Sequence, residues 1–225
     1  MTTEARRPVV ETPKPRLRGW FHGAAALGSL LVTITLVART RSDPVRCFSL
    51  LVFGLSMIEL YGLSAVYHIG NWQPGRQRVL RAVDHANIFV LIAGTYTPIC
   101  VNLFAGRLRI TVLLLIWTLA LAGVLCAVLT LRLPRWVSTG LYIIMGWIAL
   151  GTLPWLLHLL PWPALLLLGA GGALYSIGAV IYALRRPNPL PYIFGFHEIF
   201  HLFTIAGGAA FVIVIWIWVV PFPRG

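Results

Sequence analysis

Charge is scarce in this sequence. Asp, Glu, Lys and Arg make up 11% of its 225 residues, against about 25% in an ordinary soluble domain. Acidic residues are the scarcest, six against 18 Lys and Arg. With 59% hydrophobic residues and a mean hydropathy of +0.85, that balance excludes a soluble globular chain. Long apolar runs recur over the whole length, which points to a polytopic membrane protein rather than a soluble one with an anchor. Cysteine is also sparse. Cys47, Cys100 and Cys126 are odd in number and have no CxxC spacing, so they read as small apolar fillers rather than as a disulfide framework or redox pair. There is no low-complexity tract and no internal repeat of the kind that marks many transporters. No loop has room for a soluble domain, so any chemistry must lie within the helices or at their mouth.

Seven apolar segments are each long enough for a span of roughly 20 residues. They lie near 20–38, 47–69, 82–104, 110–130, 136–157, 163–184 and 193–219. The breaks between them carry turn or charge signals such as GNWQPGRQR and RRPNPLP. The fold class expected is all-α, a seven-helix transmembrane bundle over 16–225. Residues 1–15, Pro-rich, charged and non-periodic, are expected to form a disordered cytoplasmic tail. Pro154 and His158 blur the end of the fifth segment. The basic start followed by an apolar run imitates a signal peptide, but no clear cleavage site follows, so the first segment is expected to be retained.

The net charge of +12 could suit a nucleic-acid binder, but the basic residues sit between apolar runs, where they meet lipid head groups and set orientation. The expected partners are therefore membrane lipids, not nucleic acid. The tail and the second, fourth and sixth loops hold 12 Lys and Arg, and the opposite side holds 6. The positive-inside rule then places the N-terminus in the cytoplasm and the C-terminus outside. Trp20, Trp72 and Trp136 fall at one set of span ends and Trp155, Trp162, Trp216 and Trp218 at the other, as two aromatic belts would.

Ionisable groups inside spans cost roughly 2.5–3.5 kcal/mol at a helix centre and are functional candidates by default. In the second segment, LYGLSAVYH sets Ser64 and His68 four apart on one helical face, with Tyr61 nearby. In the third, Asp84 and His85 fall in the expected first turn. In the seventh, HEIFH sets His197 and His201 four apart with Glu198 between them. On the expected topology Ser64, His68, Asp84, His197 and His201 all lie in the cytoplasmic third of their spans. Three imidazoles with one open position suit catalytic zinc. A nearby carboxylate such as Asp84 would offset the ion's charge and orient water. Ser64 could donate a hydrogen bond to a substrate oxygen or to that water.

Plainer readings stay open. Each histidine taken singly could be an interhelical hydrogen-bond partner, and Asp84 could cap its helix or pair with Arg81. Glu59 lies about 180° around its helix from His68 and faces some other partner or a water path. His85 is about 100° from Asp84. His22 and His158 read as structural or interfacial. H-E-x-x-H is also a metalloprotease signature with the glutamate as base. Nothing acidic and no histidine follows His201, however, and the Asp-Gly pair of site-2-type intramembrane proteases is missing. Protease is therefore a minor alternative, with Glu198 beside the site or reaching the interface.

The stretches RLRGWFH (16–22), LYGLSAVYH (60–68), DHANIFVLIAGTYTP (84–98), LYIIMGW (141–147) and RRPNPLPYIFGFHEIFH (185–201) resemble the hemolysin III family. That family is kin to the progestin and adiponectin receptor (PAQR) superfamily and to alkaline ceramidases. The resemblance implies seven helices and zinc held by His68, His197 and His201, with Asp84 and Ser64 beside it. Where many members carry a further histidine, this chain has Phe211. The expected function is a metal-dependent lipid amide or ester hydrolase, or a lipid-linked regulator of membrane homeostasis, in a bacterial plasma membrane. A receptor with structural zinc and a pore-forming cytolysin are the alternatives.

Overall fold

A computed structural model describes residues 14–129 and 134–223; most of the expected N-terminal tail lies outside them. The described residues form eight α-helices and no β-sheet: α1 (Trp20–Arg39), α2 (Pro44–Ile69), α3 (Pro74–Leu103), α4 (Gly106–Leu129), α5 (Arg135–Trp147), α6 (Leu153–Leu159), α7 (Trp162–Leu184) and α8 (Phe196–Val214). A 3-10 turn, Ile148–Thr152, joins α5 to α6 as one span, and α8 runs on through a π-helical turn, Ile215–Val219. Seven helical segments are therefore long and apolar enough to cross a membrane.

Local chemistry explains where these helices begin and bend. α2, α3, α6 and α7 start with proline in the first turn, where the missing N–H costs nothing. Asp43 caps α2 by accepting from the Arg46 N–H at 3.0 Å. Helical order breaks near Pro154, and Tyr96 of α3 serves the backbone groups freed there. Its hydroxyl donates to Gly146 O at 2.8 Å and accepts from the Ala149 N–H at 2.6 Å. A broken helix at membrane depth needs such partners.

Two expected boundaries are corrected. α3 begins at Pro74, not near 82, because Pro74 is a good first helical residue. Asp84 therefore lies well inside the helix and cannot be its cap. α8 begins at Phe196 rather than 193, because Leu190 and Phe194 pair through backbone hydrogen bonds of 3.0 and 2.8 Å and close a turn first.

Apolar residues such as Leu27, Leu31, Leu114 and Leu121 face outward, while Ser29, Thr33, Ser49, Ser56 and Ser64 are buried. Small and polar residues between helices are what packing in lipid requires. α3 is the most buried span. It packs on α2, α4 and α5, and α8 packs on α7 and α1. At the end of the bundle away from His68, Arg46 reaches Asn102 Oδ1 at 3.0 Å, the Val220 carbonyl, and Phe222 O at 2.6 Å. That guanidinium ties the end of the last span to α2 and α3.

The α1–α2 contact is closest at Gly54, where an added Cβ would lie on the Thr33 side chain. Gly54→Val is expected to cost ~1–3 kcal/mol by overpacking and to lower the melting temperature of detergent-solubilised protein. Gly62→Ala, whose Cβ would meet nothing within 4 Å, should not lower it.

Candidate metal centre

The last turn of α2 and the first two turns of α8 meet at one end of the bundle. They bring His68, His197 and His201 together, with one potential ligand atom from each within 4.8 Å of the others. His68 Nε2 and His197 Nε2 are 3.0 Å apart. Ligand nitrogens at zinc distances of 2.0–2.1 Å in a tetrahedron would be about 3.3 Å apart, so this pair is close to that geometry. The ring centroids of His201 lie 5.3 Å from His68 and 4.5 Å from His197. His201 Nδ1 is buried with no hydrogen-bond partner among the described residues, a condition native structures rarely leave without a ligand, ion or water. The donor set and the orphaned nitrogen both fit a metal ion.

Asp84 Oδ2 stands 3.8 Å from His68 Nε2. That is too long for a hydrogen bond, yet short enough for both to face one small volume. The Ser64 hydroxyl sits beside the Asp84 carboxyl. Asp84 makes no ion pair with Arg81 among the described residues. Neither plain reading of Asp84, as a cap or as an Arg81 partner, holds.

Glu198 is fully buried and does not line the central cavity. Its Oε1 accepts from Arg18 Nε, and its Oε2 accepts from the Gly195 N–H at 2.7 Å. It therefore neither reaches the interface nor offers a free oxygen to act as a base. Its work is to seal the start of α8 and anchor the segment before α1. The same segment is held by the Arg16 N–H on Tyr192 O, at 3.0 Å, and the Leu17 N–H on Ile193 O, at 3.3 Å. Gly19 in this segment has φ +85°, and a Cβ there would sit 3.0 Å from the His68 Cβ. Only glycine suits both its backbone and its fit against a candidate ligand.

The pattern of the family described as Haemolysin-III related matches residues 10–212 of this sequence. The chain belongs to that family. It is 34% identical to "Hemolysin-3" of Bacillus cereus over 89% of each chain. It is 33% identical to "Hemolysin-3 homolog" of Bacillus subtilis, over 84% of this chain and 86% of that one. A more distant likeness, 23% over 83% of this chain and 76% of the other, is to the human "Monocyte to macrophage differentiation factor". Seven apolar helices and this membership make the chain an integral, multi-pass membrane protein.

In this haemolysin-III chain one site residue escaped sequence reasoning. His22, expected to be structural or interfacial, is buried and stacks on His201 with ring centroids 3.6 Å apart and an interplanar angle of 8°. Thr204 Oγ1 donates to His201 O at 2.8 Å and lies 3.1 Å from His22 Nε2. The hydroxyl's single proton is used on that carbonyl, so His22 Nε2 is the donor to Thr204. The available signal was an ionisable residue in an apolar span. Tyr61 sits one layer further out, its ring 5.1 Å from His22 and its hydroxyl donating to Thr204 O at 3.2 Å. His85 is outside the three-histidine group, with its Nε2 3.5 Å from the Tyr182 hydroxyl.

A cavity of about 300 Å³ opens beside the histidines and follows α3 from Arg81 to Phe104. At 1.5 Å per residue, the stretch from Asp84 to Cys100 alone is about 24 Å long. Its head is polar, with Ser64, Asp84, His197 and His201. Its body is apolar, with Ile88, Ile92, Ile99 and Leu156 among its walls. Phe211 lines this body with its ring 5.8 Å from that of Tyr175.

Proposed function

We propose that this haemolysin-III protein is a zinc-dependent hydrolase of lipid amides or esters in a bacterial plasma membrane. Its site end would face the cytoplasm, as the Lys and Arg distribution suggests. The observation that carries the reading is the convergence of three histidines beside a long apolar cavity whose polar head includes Asp84, His197 and His201. His68, His197 and His201 would hold the ion. Zinc held there would supply a Lewis acid able to polarise a carbonyl and to lower the pKa of water.

The chain's own residues supply the rest. The apolar cavity takes the acyl chain and sets its carbonyl carbon at the polar head, converting a two-body encounter into a positioned one. Asp84 Oδ2 takes a proton from the attacking water as that oxygen bonds to the carbonyl carbon. Once Asp84 is protonated, the Ser64 hydroxyl is free to turn and donate a hydrogen bond to the carbonyl oxygen as negative charge gathers on it. When the C–N or C–O bond breaks, Asp84 returns its proton to the leaving amine or alcohol, giving a fatty acid. The outward faces of the helices are apolar and their polar residues are buried, which supports a lipid enzyme over a cytolysin that lines an aqueous pore.

The purified protein is expected to contain about one zinc per chain. It should release free fatty acid from N-acyl or O-acyl lipids, and a chelator should abolish the release. Zinc bound at that level without turnover of either lipid class would reject the hydrolase in favour of a regulator with structural metal.

A further inference from the structure

Two cationic side chains border the polar head of the cavity with no ion-pair partner among the described residues. Arg81 comes from α3, and Arg135 is the first residue of α5. The Arg135 guanidinium lies over the Tyr182 ring, 5.2 Å from its centre, and its Nη1 is buried with no hydrogen-bond partner among the described residues. Its charged neighbours, Arg81 and Arg185, are both cations. Among the described residues, the acids beside this end of the cavity are already committed. Asp84 is engaged by Ser64 and faces His68, and Glu198 is held by Arg18 and the Gly195 N–H. α5 starts here with Pro134 at its N-cap and no side-chain cap, so the positive end of the helix dipole adds to the field. Buried donors of this kind are normally satisfied, and a planar guanidinium matches carboxylate and phosphate in shape as well as charge.

We propose that Arg81 and Arg135 form an anion subsite at the rim of the cavity, selecting single-chain amphiphiles that carry a phosphate or carboxylate. The subsite holds the anionic group while the chain runs down the apolar body along α3. This rests on the cavity being a lipid site, as proposed above, and is independent of turnover there.

The test uses the full chain in nanodiscs of neutral lipid, with displacement of a neutral fluorescent acyl probe as readout. The competitors are lysophosphatidate, oleate, oleyl alcohol and inorganic phosphate. Lysophosphatidate and oleate are expected to bind ~10–100-fold tighter than oleyl alcohol, as charge-assisted hydrogen bonds would give. Inorganic phosphate should compete far more weakly, because it lacks the chain. In the R81Q/R135Q double variant the anionic advantage should vanish while oleyl alcohol binds as before, which also reports an intact cavity. Should that variant fail to fold, the wild-type preference and its weakening by salt decide the matter. Oleyl alcohol binding as tightly as the anions, phosphate competing as well as lysophosphatidate, or a preference surviving in the double variant would each overturn the subsite alone. Failure of every amphiphile to displace the probe would overturn the lipid reading with it.

Discussion

Replacing His68 with alanine is expected to strip the metal from the protein. The three histidines come from two helices, and His68 is the one member of the group that α2 supplies. Changing a residue that merely supports a ligand already costs 10–100-fold in affinity, so loss of the ligand itself should cost at least about 100-fold. His201→Ala should behave alike, and His85→Ala, outside the group, should keep its metal. His22→Ala falls between, because His22 only stacks on His201 and fixes Thr204. Elemental analysis reads the metal directly. Thermal unfolding gives a second reading, since a metal that binds the native state alone raises the melting temperature as its concentration rises. Wild-type protein should lose several degrees on chelation, and His68→Ala should not respond. Equal zinc content in wild type and His68→Ala would remove the metal centre from consideration.

The architecture was legible because lipid imposes a simple rule. Every backbone group must be satisfied within the span, so a run of about 20 apolar residues is almost obliged to be a helix. Seven such runs became seven spans, including the fifth, where Pro154 and His158 blurred the pattern and Tyr96 repairs the break. The site was legible for a related reason. Polar residues in spans are few enough that two i,i+4 pairs and one acid at a common depth stand out. What spacing could not give was the direction of single residues. His22 has no helical partner to flag it, and only the packing of α1 against α8 puts it on His201. Glu198 and Arg18 are 180 positions apart and meet because the 16–19 segment folds back on the turn before α8. α3 starts at Pro74, ahead of its apolar run, because proline at a first helical position is a start signal in its own right.

The contrast between Asp84→Asn and Glu198→Gln separates the two chemistries that an H-E-x-x-H motif allows. In a soluble zincin the glutamate is the base, and its amide would be inactive. Here both Glu198 oxygens are spent on Arg18 and the Gly195 N–H, and the side chain is absent from the cavity wall. Glutamine can still accept from Gly195 but loses the charge facing Arg18. Glu198→Gln is therefore expected to cost ~1–3 kcal/mol of stability, the worth of a hydrogen bond to a charged group, and to keep turnover in the folded fraction. Asp84→Asn should do the reverse. Asparagine is nearly isosteric and can still bond Ser64, so the fold and most of the metal should survive, while loss of the proton acceptor should cut turnover by ~10²–10⁴-fold. Melting temperature, metal content and fatty-acid release measured on both variants distinguish the patterns. Inactive Glu198→Gln beside active Asp84→Asn would move the base to the motif glutamate. That result would require Glu198 to leave Arg18 and turn into the cavity, a rearrangement that should itself appear as loss of the Arg18 contact.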